Sequence, residues 1–157
     1  MKARDPLSSL DPGGGPVVTA RFVLSLLLMV LGIAVIVYYY VVVRPGPDDL
    51  DPKTFEPVYG GLGFFADLKK WSYVIGFGAF LLGLVIAAHP STPLGRGRGV
   101  VVGMLGCFLF GLVWICTYYV FSNDLSKVWV FNDLGQYNLM VGIAFMAVGF
   151  TYATRWE

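Results

Sequence analysis

Four stretches of the chain are continuously apolar, and the polar residues gather between them. No charge interrupts Phe22 to Val43, Trp71 to Ala88, Gly99 to Ser122 or Gln136 to Thr154, and Arg155 closes the last. A bilayer core about 30 Å thick is crossed by about 20 helical residues, and each stretch lies in or near that range. Unbroken rather than alternating apolarity predicts helices, not barrel strands. The second stretch is the shortest. The first is longer than the roughly 7–15 apolar residues of a signal-peptide core. No small-x-small cleavage site follows it in Arg44-Pro45-Gly46-Pro47, so it is expected to remain as an anchor. The pattern predicts an all-α membrane protein with four transmembrane helices arranged as two tandem repeated helical hairpins.

Composition agrees with that pattern. Of 157 residues, 57% are hydrophobic and 13% charged, against about 25% charged in an average soluble domain. A small soluble domain leaves too much surface in water to hide so much apolar area. A formal charge of +1 provides no basic field for a nucleic-acid backbone. The expected partner of most of the chain is therefore the lipid bilayer.

The polar segments set the organisation. Residues 1–20, rich in Pro, Gly and Ser, predict a disordered cytoplasmic tail. Residues 21–89 form the first hairpin, with spans 22–43 and 71–88 and an outer loop 44–70. Residues 90–98 are a cytoplasmic loop, and 99–157 form the second hairpin, with spans 99–122 and 136–154. Leu62, Phe64 and Phe65 suggest a short amphipathic segment before Trp71. Four spans put both termini on one side. That side holds Lys2, Arg4, Arg21, Arg96, Arg98 and Arg155, and the other holds Arg44, Lys53, Lys69, Lys70 and Lys127. The excess of cations on the terminal side places it in the cytoplasm of a plasma-membrane protein. Tyr39, Tyr40, Trp71, Tyr118, Tyr119, Tyr137 and Trp156 stand near the ends of the runs, where amphipathic rings anchor at the headgroup level. Tyr38, Tyr73 and Tyr152 extend these belts.

The two halves repeat. A shift of 66 residues carries Phe65, Asp67, Leu68, Trp71, Gly76, Gly83 and Ala87 onto Phe131, Asp133, Leu134, Tyr137, Gly142, Gly149 and Ala153. A shift of 79 carries Gly32, Ile36, Tyr39, Tyr40 and Val41 onto Gly111, Ile115, Tyr118, Tyr119 and Val120. Two-span units keep one orientation, so an axis along the membrane normal is expected to relate them. Small residues let helix backbones approach closely in lipid. Gly32, Gly76, Gly83, Gly99, Gly103, Gly111, Gly142 and Gly149 are therefore the candidate helix-packing residues, within one chain or between copies in a homo-oligomer.

Chemistry is sparse. The spans hold no charged residue in their interior and no proline, which argues against a transporter or channel. Cys107 and Cys116, nine residues apart, fall on opposite sides of one helix and cannot bridge. His89 alone makes no metal site with them. Asp48, Asp49 and Asp51 lack the Gly and Glu of a calcium loop, and Gly95-Arg96-Gly97-Arg98-Gly99 lacks the Lys-Ser/Thr of a phosphate loop. No catalytic residue, cofactor or metal set is assigned.

Residues 109–120, LFGLVWICTYYV, are followed by 136–157, QYNLMVGIAFMAVGFTYATRWE. Together they closely resemble the actinobacterial cell-division family CrgA. The resemblance rests on Tyr137-Asn138, on Val141-Gly142-Ile143-Ala144-Phe145, on Ala147-Val148-Gly149-Phe150 and on Trp156. It extends more loosely to 21–89, through Leu31 to Ile36 and Trp71 to Gly78. It implies a tandem, four-span version of a two-span family. It also implies a non-enzymatic adaptor or regulator of septum formation, enriched at the septum, that recruits or restrains divisome proteins such as FtsZ, FtsQ and FtsI. Both termini would be cytoplasmic. Family tails are markedly basic, whereas this one has Lys2, Arg4 and Arg21 offset by Asp5 and Asp11. The reading left open beside it is an accessory structural subunit of another membrane complex, such as a respiratory assembly.

Overall fold

The computed structural model describes residues 18–128 and 130–155. All but three of the tail residues, and Trp156, lie outside them. The expected tail ends sooner than 1–20, because Thr19 already caps a helix: its Oγ1 accepts from the Phe22 amide at 3.2 Å. Such a bond satisfies one of the amides that a helix start leaves without a partner.

The described residues are helical and contain no strand beyond an isolated bridge between Leu50 and Pro57. Helix α1 spans Ala20–Tyr38 and continues through one wider, π-helical turn at Tyr39–Val43. After the outer loop come the short α2 (Gly63–Leu68) and α3 (Trp71–Ala87). A connector with a turn at Pro93–Gly95 leads to α4 (Arg98–Val120). The short α5 (Phe131–Leu134) and then α6 (Tyr137–Ala153) complete the chain. Residues 20–43 and 98–120 are long and apolar enough to cross a membrane; α3 and α6 are shorter apolar helices of 17 residues, roughly 26 Å at 1.5 Å per residue.

Helices α1 and α3 pack along each other, as do α4 and α6, and the two pairs meet chiefly through α3 and α6. The space between the pairs is filled by aromatic rings. Phe80 tilts against Phe145 at 5.8 Å, Phe77 meets Trp114 edge-on at 5.6 Å, and Trp114 stacks on Phe131 at 4.4 Å. The outward faces are apolar as well. Leu27, Val30, Val37, Val102, Leu109 and Val113 are each at least half exposed. Contiguous apolar surface of this extent marks a membrane or partner contact rather than a water-facing surface.

Three helix entries use one backbone turn. Lys69, Gly97 and Gly135 sit at φ +51°, +53° and +51°, and α3, α4 and α6 begin one or two residues later. Glycine takes this conformation without penalty. Lys69 is the position where the first half retains a side chain in it.

Candidate functional site

Two features recur in both halves and one joins them. The recurring features are close backbone contacts at glycine. A Cβ added to Gly32 would stand 2.5 Å from the Gly76 carbonyl oxygen, and one on Gly111 would stand 2.6 Å from that of Gly142. Gly76 faces Ile36 and the Gly32 oxygen; Gly142 faces Ile115 and the Gly111 oxygen. Two glycines and an isoleucine thus meet in the same way at positions related by the shifts of 79 and 66. Gly83 lies against the Ser25 oxygen and Met29, and Gly149 against the Phe108 ring at 3.3 Å. Two glycines do something else. Gly103 accommodates the ring of Tyr152, and Gly99 lies under the Pro93 carbonyl, in the connector rather than on another long helix.

The joining feature is a polar clamp at the outer end of the pairs. The π-helical turn bonds the Arg44 amide to the Tyr39 oxygen at 2.8 Å and sets Arg44 toward the second half. Such a turn inserts one residue and so re-aims the side chains beyond it. Arg44 Nε lies 3.0 Å from Asp133 Oδ1. The Tyr73 hydroxyl donates to Asp133 Oδ2 at 2.7 Å. The Asp133 side chain is 11% exposed and that of Arg44 29%, so the pair is screened less than a surface salt bridge. Tyr39 closes the clamp from inside, edge-on to Tyr73 at 4.8 Å. The Arg44 guanidinium also covers the Tyr40 ring at 4.9 Å.

Asn138 supports the Asp133 segment. Fully buried, it donates through Nδ2 to the Phe131 and Gly135 oxygens, both at 2.8 Å. An open depression of about 760 Å³ adjoins the clamp, lined by Lys70, Tyr118, Tyr119, Asn132, Gln136 and Tyr137 among others.

The tyrosines divide into two groups. Trp71, Tyr119 and Tyr137 are exposed at helix ends, Tyr118 and Tyr40 are half-buried, and Trp156 lies outside the described residues. Tyr39, Tyr73 and Tyr152 depart from the expected belt: they are at most 2% exposed and point into the protein. Tyr152 donates across the halves to the Leu84 oxygen at 2.8 Å. A tyrosine near the end of an apolar run looks the same in sequence whichever way its helix turns. The clamp was missed for the same reason, since Asp133 stood out only as the partner of Asp67 in the repeat. Asp67 itself is exposed on α2.

The inner end is built differently. Thr19 Oγ1 donates to the Ser91 oxygen at 3.2 Å, tying the start of α1 to the connector. The Arg21 guanidinium meets the His89 ring, whose Nδ1 accepts from the Ser91 amide at 3.1 Å. Desolvation, then the charges of Arg21 and Arg155, hold His89 below the usual imidazole range. Among the described residues, no three His, Cys, Asp or Glu side chains gather as a metal site.

The sequence profile described as "Cell division protein CrgA" matches residues 13–89 and again residues 92–157. The chain belongs to the CrgA family. The double match covers most of its length and agrees with a tandem-duplicated CrgA. A Cell division protein CrgA of Streptomyces avermitilis is 38% identical over 67 residues, spanning 43% of this chain and 75% of the relative. No solved structure matches. Membership assigns this CrgA-type chain a role in cell division, and its apolar helices fit a membrane protein.

Proposed function

We propose that the chain is a non-enzymatic, four-span plasma-membrane adaptor that recruits or restrains septal components, with both termini in the cytoplasm. The observation that carries this reading is the pairing of a duplicated cell-division family with a clamp, Arg44–Asp133–Tyr73, that binds one half to the other. One chain then presents as a fixed unit what two-span relatives would present as separate hairpins. The lining of exposed apolar residues on α1 and α4 supplies lipid- or partner-facing surface on both halves. Over the whole sequence the side of the termini carries Lys2, Arg4, Arg21, Arg96, Arg98 and Arg155, against Arg44, Lys53, Lys69, Lys70 and Lys127 on the other. That excess of one cation supports cytoplasmic termini. Division proteins such as FtsZ, FtsQ and FtsI are the partners to test first.

The experiment is localisation of a fluorescent fusion in a growing actinobacterial host, followed by pull-down. Enrichment at the division ring is the expected result. Even distribution around the envelope, with copurification of a respiratory or other assembly, would replace this reading with an accessory-subunit role.

A further inference from the structure

The inner end holds an arrangement that neither the clamp nor the glycine seams use. Arg21 opens α1, His89 follows α3, and Arg155 follows α6, so the first half and the last residues of the second half converge at one rim. Arg21 Nη1 lies 3.0 Å from His89 Nδ1, and Ala88 and Tyr152 share one buried cluster, which brings Arg155, three residues beyond Tyr152, to the same end as His89. Two guanidinium groups thus stand at the end that holds this imidazole, and neither has a carboxylate partner among the described residues. Like charges gathered at one end repel each other, and an anion seated among them relieves that repulsion. A guanidinium carries five donors in a planar fork. Arg21 spends only part of its set on His89, and the remainder suits the oxygens of a phosphate.

We propose that the rim formed by Arg21, His89 and Arg155 seats the phosphate of an anionic phospholipid headgroup. This inference rests on the four-span reading, which puts the rim at the depth of the cytoplasmic headgroups. Lipid is favoured over a free anion by what lies beside the rim: Leu24 and Leu27, in the first two turns of α1 beyond Arg21, are exposed and apolar, where an acyl chain would lie. The surface is thus cationic at the helix ends and hydrocarbon immediately below, which matches a phospholipid and not a soluble ion.

The test uses the full chain and measures two quantities. The first is flotation with phosphatidylcholine vesicles. The second is lipid retention by native mass spectrometry after exposure to equal phosphatidylcholine and phosphatidylglycerol, with inorganic phosphate as competitor. Selective retention of phosphatidylglycerol is expected. R21Q and R155Q should each weaken it about fivefold, since one basic residue at a membrane surface is worth about that factor, while Lys53→Gln, on the outer loop, should leave it unchanged. Flotation without lipid preference, or a preference that R21Q and R155Q do not alter, overturns the site and leaves the four-span reading standing. Displacement by millimolar phosphate assigns the rim to a free anion and overturns the lipid. Failure to float overturns both readings together.

Discussion

Replacing Gly111 by alanine puts a methyl group 2.6 Å from the Gly142 carbonyl oxygen, closer than real Cβ atoms come to a neighbour. The obstacle is backbone, so no rotamer change relieves it. To reach an ordinary 3.4 Å contact, α4 and α6 must separate by roughly 0.8 Å along a seam that is also closed from the other side, by Gly142 against the Gly111 oxygen. Overpacking of this kind costs about 1–3 kcal/mol. Alanine is also the better helix former, by about 1 kcal/mol, which blurs a comparison with the native chain. Gly106→Ala on the same helix removes that ambiguity, because nothing lies within 4 Å of its added methyl. The helix-propensity gain is common to both variants, so their difference isolates the seam. Reversible unfolding by steric trapping in bicelles should place Gly111→Ala about 1–3 kcal/mol below Gly106→Ala. Gly32→Ala, which meets the Gly76 oxygen at 2.5 Å, should fall below Gly78→Ala in the same way. Equal stabilities within each pair would refute the close backbone approach. Gly149→Ala is less decisive, because it meets only the Phe108 ring, which can rotate away.

Four further outcomes are expected. Asp133→Ala loses the bonds to Arg44 and Tyr73 and should cost about 2–3 kcal/mol in the same assay, Tyr73→Phe less than that; a neutral Asp133→Ala would mean the halves are held without the clamp. Tyr152→Phe should cost no more than about 1 kcal/mol, because the Leu84 oxygen keeps the Ala88 amide as a partner, and a loss above about 3 kcal/mol would assign the hydroxyl more than one bond. Lys69→Gly should raise stability by about 1 kcal/mol by relieving a left-handed residue, although it gives up the ammonium over Tyr59; a loss would show that the ring contact outweighs the strain. His89 should titrate below free histidine when followed by ring NMR in phosphatidylcholine, free of anionic lipid and of phosphate. Its lowered folded-state value means the neutral contact, faced by Arg21, Arg155 and Ser91, persists above the usual imidazole range and is lost as pH falls through that lower value; a midpoint at or above about 6.5 contradicts it.

Much of this molecule could be read from the linear pattern because its helices are long and uniformly apolar, and their ends coincide with changes in polarity. The described helices α1, α3, α4 and α6 start and stop within a few residues of the apolar runs. The contacts Gly32–Gly76 and Gly111–Gly142 involve residues that the repeat alone singles out. What was hidden depends on helix rotation. An apolar helix has no polar face to show which side turns inward, so Tyr39, Tyr73 and Tyr152 could not be distinguished from Trp71 or Tyr137. The clamp combines Arg44, Tyr73 and Asp133, separated by up to 89 positions, and no local motif connects them. The π-helical turn that aims Arg44 leaves no mark in Tyr39–Val43, a run of ordinary helix- and strand-forming residues.

The clamp also has a handedness of descent. By the shifts of 79 and 66, Arg44 corresponds to Asn123 and Tyr73 to Leu139, while Asp133 corresponds to the exposed Asp67. The reverse clamp, Asn123 and Leu139 closing on Asp67, has neither the cation nor the hydroxyl to form. Two identical polypeptides would carry every substitution twice and would have to keep both versions or neither. Once the copies are covalently joined, each inherits its own changes, and one can evolve a cation where the other evolves its counter-ion. The bond therefore marks a chain in which the two halves are no longer interchangeable. A mutation in either copy of this chain should be scored as its own event, not as half of a symmetric one.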